Sequence, residues 1–120
     1  MFSPSRFYVF ATIPVKPECL EEARAAILEI MPATLAEEGC DVFELYEDPS
    51  GAPRLFLREV FRDEAAFELH HQQDFVREIF RKYEEWLDGE VVTQQLRPVL
   101  RPLPERPDEP PEGWQPPTKG

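Results

Sequence analysis

The stretch Arg54-Leu55-Phe56-Leu57-Arg58-Glu59-Val60-Phe61-Arg62-Asp63-Glu64-Ala65-Ala66-Phe67-Glu68-Leu69-His70-His71-Gln72-Gln73-Asp74-Phe75 changes its hydrophobic period once, and that change decides the fold. Up to Phe61, aromatic and branched residues interleave with Arg58 and Glu59 without Gly or Pro, as in a strand. Asp63 then supplies a helix N-cap. Its carboxylate accepts a backbone N–H two or three residues on, and Glu64 adds negative charge at the positive end of the helix dipole. The helix places Ala66, Phe67 and His70 on one face. Both histidines of the chain lie here, and no other side chain type has an ordinary pKa near neutrality. Proton chemistry points to this segment first.

Upstream, Phe7 to Ile13 is a strand apolar on both faces, with Phe7, Val9, Ala11 and Ile13 on one side and Tyr8, Phe10 and Thr12 on the other. Apolarity on both sides implies burial on both sides. Pro17 suits the first turn of a helix, with Glu18, Glu21 and Glu22 near its positive end. Leu20, Ala23, Ile27, Ile30 and Thr34 then recur at helical steps. Pro32 is expected to kink that helix or begin a second short one, and Gly39 to close it. Cys40 to Glu47 reads as a strand with Val42, Glu44 and Tyr46 on one face and Phe43 and Leu45 on the other. Asp48 to Pro53 is a turn, making a hairpin with the strand that begins at Arg54.

Downstream, Phe75, Val76, Ile79, Phe80, Tyr83, Trp86 and Leu87 form a helical stripe ended by Gly89, and Val91 to Leu96 a last strand bounded by Pro98. From Arg97 the composition changes: eight of the 14 prolines fall between Pro98 and Pro117. The chain therefore divides into a domain over residues 1–100 and a proline-rich tail over 101–120. The tail is extended and polyproline-like, either disordered or an arm docked by Trp114.

A net charge of −11 argues against nucleic acid and anionic membrane surfaces as partners. No apolar run approaches the roughly 20 residues that a membrane-spanning helix needs. Phe7 to Val15 is too short and aromatic for a signal peptide and lacks a small-residue cleavage site. Cys19 and Cys40 lack metal-ligand spacing and read as reduced, buried thiols of a cytoplasmic protein. No cluster has metal-ligand spacing and there is no glycine-rich phosphate loop, so metal and nucleotide cofactors are disfavoured.

The order strand, helix, strand, strand, helix, strand specifies an α+β, ferredoxin-like split βαβ fold, with both helices on one face of an antiparallel sheet. The other sheet face, carrying the first strand's second apolar side with Phe43 or Tyr46 and Phe56 or Leu57, is too apolar for a monomer. A homodimer packed sheet to sheet is expected.

Ala11-Thr12-Ile13-Pro14-Val15-Lys16-Pro17-Glu18, Met31-Pro32-Ala33-Thr34, Glu37-Glu38-Gly39-Cys40, Phe56-Leu57-Arg58-Glu59-Val60-Phe61 and Ala65-Ala66-Phe67-Glu68-Leu69-His70 occur in this order. Together, over about Phe7 to Val99, they resemble the antibiotic biosynthesis monooxygenase superfamily, in its quinol-monooxygenase-like branch. The resemblance implies a dimeric α+β barrel with a pocket in each subunit between sheet and helices. It also implies oxidation of a small phenolic or quinol substrate by O₂ without metal or organic cofactor. His70 matches the family's histidine after the Ala-Phe pair, and Glu59 its strand glutamate; Phe61 stands where an aromatic is usual. Where the family often carries a second histidine before a Phe, this chain has Asp74-Phe75, a departure from a two-histidine mechanism. The haem-degrading branch is set aside because the chain has no Asn.

On this reading His70 is the catalytic base and Glu59 a pocket acid. Tyr46, Phe61, Phe67, Phe75, Phe80, Tyr83 and Trp86 shape an aromatic substrate pocket, while His71, about 100° round the helix, faces solvent. The competing readings are a His70 satisfied by Glu59 or Asp74, a Glu59 paired with Arg58 or a helix residue, and aromatics that are plain core. At the level of function, the alternatives are a non-catalytic small-ligand-binding or interaction protein on the same fold, and a cofactor-free isomerase.

Overall fold

The computed structural model describes residues 6–99. Strands β1 (Phe7–Pro14), β2 (Cys40–Glu47), β3 (Arg54–Phe61) and β4 (Val92–Leu96) form one antiparallel sheet in the order β2-β3-β1-β4. Helices α1 (Leu20–Leu35), α2 (Glu64–His71) and α3 (Asp74–Trp86) accompany it. This is the ferredoxin-like α+β arrangement expected from the element order, with one refinement. The segment after β3 breaks into two helices at Gln72 and Gln73, so the histidines end one helix and Asp74 begins the next.

Strand register fixes which side chains meet the helices. Val9, Ala11 and Ile13 of β1 are buried, as are Leu55, Leu57, Glu59 and Phe61 of β3 and Phe43 of β2. On the opposite face, Phe10 stacks on Phe56 with ring centroids 5.8 Å apart, and Tyr46 sits opposite Phe56 in the ladder. That pairing resolves the open choice about the exposed face: it carries Tyr46 and Phe56, whereas Phe43 and Leu57 belong to the core. All of β4 is exposed on both faces.

Pro32 does not begin a second helix: one helix runs through it to Leu35. Pro17 opens a single 3-10 turn (Pro17–Cys19) ahead of α1. Cys40 is buried as expected; Cys19 is only partly so, and both are free thiols. No described helix is long and apolar enough to cross a membrane. The calls on the tail over 101–120, including docking by Trp114, lie outside the described residues.

Two local devices place α2. The Asp63 carboxylate accepts the Ala66 N–H at 2.8 Å, the expected N-cap. Gly39 lies against the helix so closely that a Cβ there would be 2.5 Å from that of Ala66, while its carbonyl accepts the Arg62 N–H at 2.7 Å. Gly39 is thus required by close approach between the α1–β2 loop and α2. Gly39→Ala should destabilise by about 1–3 kcal/mol through overpacking. In the Gly39→Ala, Ala66→Gly double variant the two changes should couple favourably in urea melts, since removing the Ala66 methyl relieves the clash; strict additivity would show that the contact is not the cause.

Candidate functional site

Between the helix-facing side of the sheet and the three helices lies a small cavity that opens to solvent at its mouth. Ala11, Leu57 and Thr93 contribute from the sheet, Ile27 from α1 and Ile79 from α3. Its walls are mainly apolar. Four titratable side chains reach it: Glu59 from β3, His70 and His71 from α2, and Tyr83 from α3.

His70 is 3% exposed, and its Nδ1 lies 2.8 Å from Oε2 of Glu37, in the loop after α1. A carboxylate only accepts, so Nδ1 carries the proton and Nε2 keeps its lone pair. Burial holds His70 below the ordinary imidazole pKa against the opposing pull of Glu37, so the ring is neutral at pH 7. A neutral imidazole with its tautomer fixed by a carboxylate is a competent general base. The partner is neither Glu59 nor Asp74, the carboxylates expected from sequence.

His71 also departs from expectation. It does not face solvent: it lines the cavity, half-buried, with its Nδ1 2.9 Å from the Phe67 carbonyl and its ring 4.4 Å from that of Phe67. A carbonyl accepts, so here too Nδ1 carries the proton.

Glu59 is 5% exposed and has no hydrogen-bond or ion-pair partner among the described residues; Arg58 pairs instead with Glu44 at 2.8 Å. Burial pushes the Glu59 carboxyl up to about 7. The Tyr83 hydroxyl is raised above the ordinary phenol value, first by burial and then by Glu59, and stays protonated. Burial, aided by Glu37 and Glu59, pushes the Cys40 thiol up to about 11, leaving it unreactive.

The aromatic residues divide. Phe67, Phe80 and Tyr83 line the cavity; Phe80, 43% exposed, stands at the mouth with its ring 5.7 Å from His71. Phe61 is fully buried behind the lining, its ring 5.3 Å from that of His70. Three expected pocket residues lie elsewhere. Tyr46 is on the far face of the sheet, hydrogen-bonded to Glu44 at 2.6 Å, because an even offset from Glu44 keeps it on that face. Phe75 lies in a shallow depression between α1 and α3. Trp86 ends α3, where its carbonyl accepts the Lys16 N–H at 2.8 Å and its ring meets the Lys82 ammonium. Sequence reasoning missed Glu37 as a site residue, since it stands 33 positions from His70. Among the described residues, no group of three or more His, Cys, Asp or Glu is placed to hold a metal ion.

A family model described as antibiotic biosynthesis monooxygenase matches residues 6–86. The chain belongs to the antibiotic biosynthesis monooxygenase family. Among solved structures, this family member is similar to the Methanosarcina mazei conserved protein at 30% identity, covering 78% of this chain and 93% of that one, with a TM-score of 0.72. It is similar to Rv0793 of Mycobacterium tuberculosis at 27% identity, covering 79% and 96%, with a TM-score of 0.74. A structure named antibiotic biosynthesis monooxygenase shares the fold, at 18% identity and a TM-score of 0.73 over 78% and 99% of the two chains. No curated protein matches the sequence.

The raised Glu59 pKa makes a stability prediction. The folded state holds this proton up to about pH 7, whereas the unfolded chain releases it near 4.3. Its favourable contribution is therefore complete below the unfolded value and lost as pH rises to about 7. Glu59→Gln should gain on the wild type by roughly 1.4 kcal/mol per pH unit between about pH 5 and 7. Parallel stability profiles in urea would contradict this.

Proposed function

We propose that this protein is a cofactor-independent monooxygenase of the quinol-monooxygenase-like type, acting on a small phenolic or quinol substrate with O₂. The carrying observation is the buried, neutral His70, held by Glu37 in a cavity walled by Phe67, Phe80 and Tyr83. In this reading Nε2 of His70 takes a phenolic proton and the electron-rich anion reduces O₂. One oxygen atom enters the ring and the other leaves as water, so a hydroquinone yields a hydroxyquinone. Glu37 positions the base; the apolar walls exclude bulk water from the anion. Proton-transfer isomerisation would need the same base without oxygen. A ligand-binding protein would need only the cavity.

O₂ uptake by the metal-stripped protein against hydroquinones and polyphenols tests the reading. His70→Ala should lower turnover by roughly 10²–10⁴-fold, the usual worth of a general base. Glu37→Gln should also lower kcat and shift the limb of the pH–rate profile that reports the base. Undiminished uptake in His70→Ala would remove it as the base. No uptake, with a bound small molecule in native mass spectrometry, would favour the ligand-binding reading.

The reading includes a homodimer. The Phe10–Phe56 stack, Tyr46 at 49% exposure, Val92 at 57% and Leu96 at 47% lie on one sheet face, an apolar surface supporting sheet-to-sheet association. Its free thiols suit a reducing compartment such as the cytoplasm. Phe56→Glu should convert a dimer into a monomer in analytical ultracentrifugation at micromolar concentration; a wild type that is monomeric there would rule the dimer out.

A further inference from the structure

We propose that Glu59 is the group that sets ligand charge in this cavity, donating a hydrogen bond as a neutral carboxylic acid to an acceptor oxygen of an uncharged aromatic ligand and excluding anionic ones. The inference rests on the cavity being the ligand site. Glu59 is 95% buried by its 5% exposure, lines the cavity and has no partner among the described residues. A buried polar group without a partner carries a desolvation cost that a ligand can relieve.

The surroundings decide which ligand. No Lys or Arg lines the cavity, so nothing permanently cationic awaits a carboxylate or phosphate. The titratable groups around Glu59 are His70 and His71 from α2, Tyr83 from α3 and Cys40 from β2, with Glu37 beyond the thiol. From β1, β4 and α1 the lining is uncharged: Ala11, Thr93 and Ile27. An ammonium ligand would bring a desolvated charge into a mainly apolar cavity and require Glu59 to ionise there as well, a costly arrangement. A carbonyl, ether or hydroxyl oxygen needs only the one proton that Glu59 holds. Where the carboxyl is ionised in the free protein, binding takes up one proton: carboxylate, proton and ligand become a carboxyl hydrogen-bonded to the ligand oxygen. A hydroquinone would offer one oxygen to His70 and the other to Glu59.

Three single-ring probes of similar shape and different charge test this: acetophenone, benzoate and benzylamine, with binding followed by NMR on the whole chain. Acetophenone should bind at pH 7, weaken by about tenfold per pH unit above the Glu59 pKa, and outbind the two charged probes at least tenfold. Glu59→Gln, which keeps an N–H donor, should retain acetophenone binding and lose the pH slope. An infrared difference spectrum of the wild type should show the protonated-carboxyl band growing on binding at pH 8. Benzoate equal to acetophenone, benzylamine preferred, a slope that persists in Glu59→Gln, no carboxyl signal, or no binding of any probe would each overturn the proposal. Acetophenone needs no oxidation to be read. Absent O₂ uptake with these results intact would defeat the monooxygenase reading alone.

Discussion

The hydrogen bond from His70 Nδ1 to Glu37 is the constraint on which the site depends. Its two partners come from different parts of the fold, so its 2.8 Å length is set by how the α1–β2 loop meets α2. Gly39 allows that meeting by leaving room for the Ala66 methyl, the Gly39 carbonyl ties the loop to Arg62, and Asp63 starts α2 at the right residue. A hydrogen bond to a charged group is worth about 1.5–3 kcal/mol, enough to fix one imidazole tautomer against the other.

Burial acts on the cavity's acid and base in opposite chemical senses with the same electrical result. It keeps the proton on Glu59 and keeps one off His70, because each loses its charge on leaving water. Environments that drive two titratable groups apart in this way define acid and base roles. They also leave both groups uncharged just below neutral pH, which suits an apolar aromatic ligand. Tyr83, its hydroxyl held protonated, adds a third uncharged group to the cavity lining.

Much of the fold was legible locally. The period change at Asp63, the capping carboxylate and the two-sided apolarity of β1 specified the order of elements and hence the sheet. The histidine of the site was legible too, because His70 shares a helix face with Ala66, both buried in the structure. What escaped was what the fold joins at a distance. Glu37 belongs to another element; His71 is drawn toward the cavity by the Phe67 carbonyl and ring at the end of a short helix. Tyr46 was assigned to the correct strand face, but nothing within that strand says which face meets the helices. Pro32 was read as kinking the helix or beginning another because the local rule counts the lost hydrogen bond, yet one such loss near the C-terminal end did not divide the helix.

The account stands on a neutral His70 with its proton on Nδ1. Nitrogen-15 NMR of the histidine side chains, assigned by comparison with His70→Ala and His71→Ala, reads that state directly. At pH 7, His70 should show a protonated Nδ1 and an unprotonated Nε2, and Glu37→Gln should disturb that pattern. A doubly protonated ring, or a proton on Nε2, would leave the cavity without the base that its geometry implies.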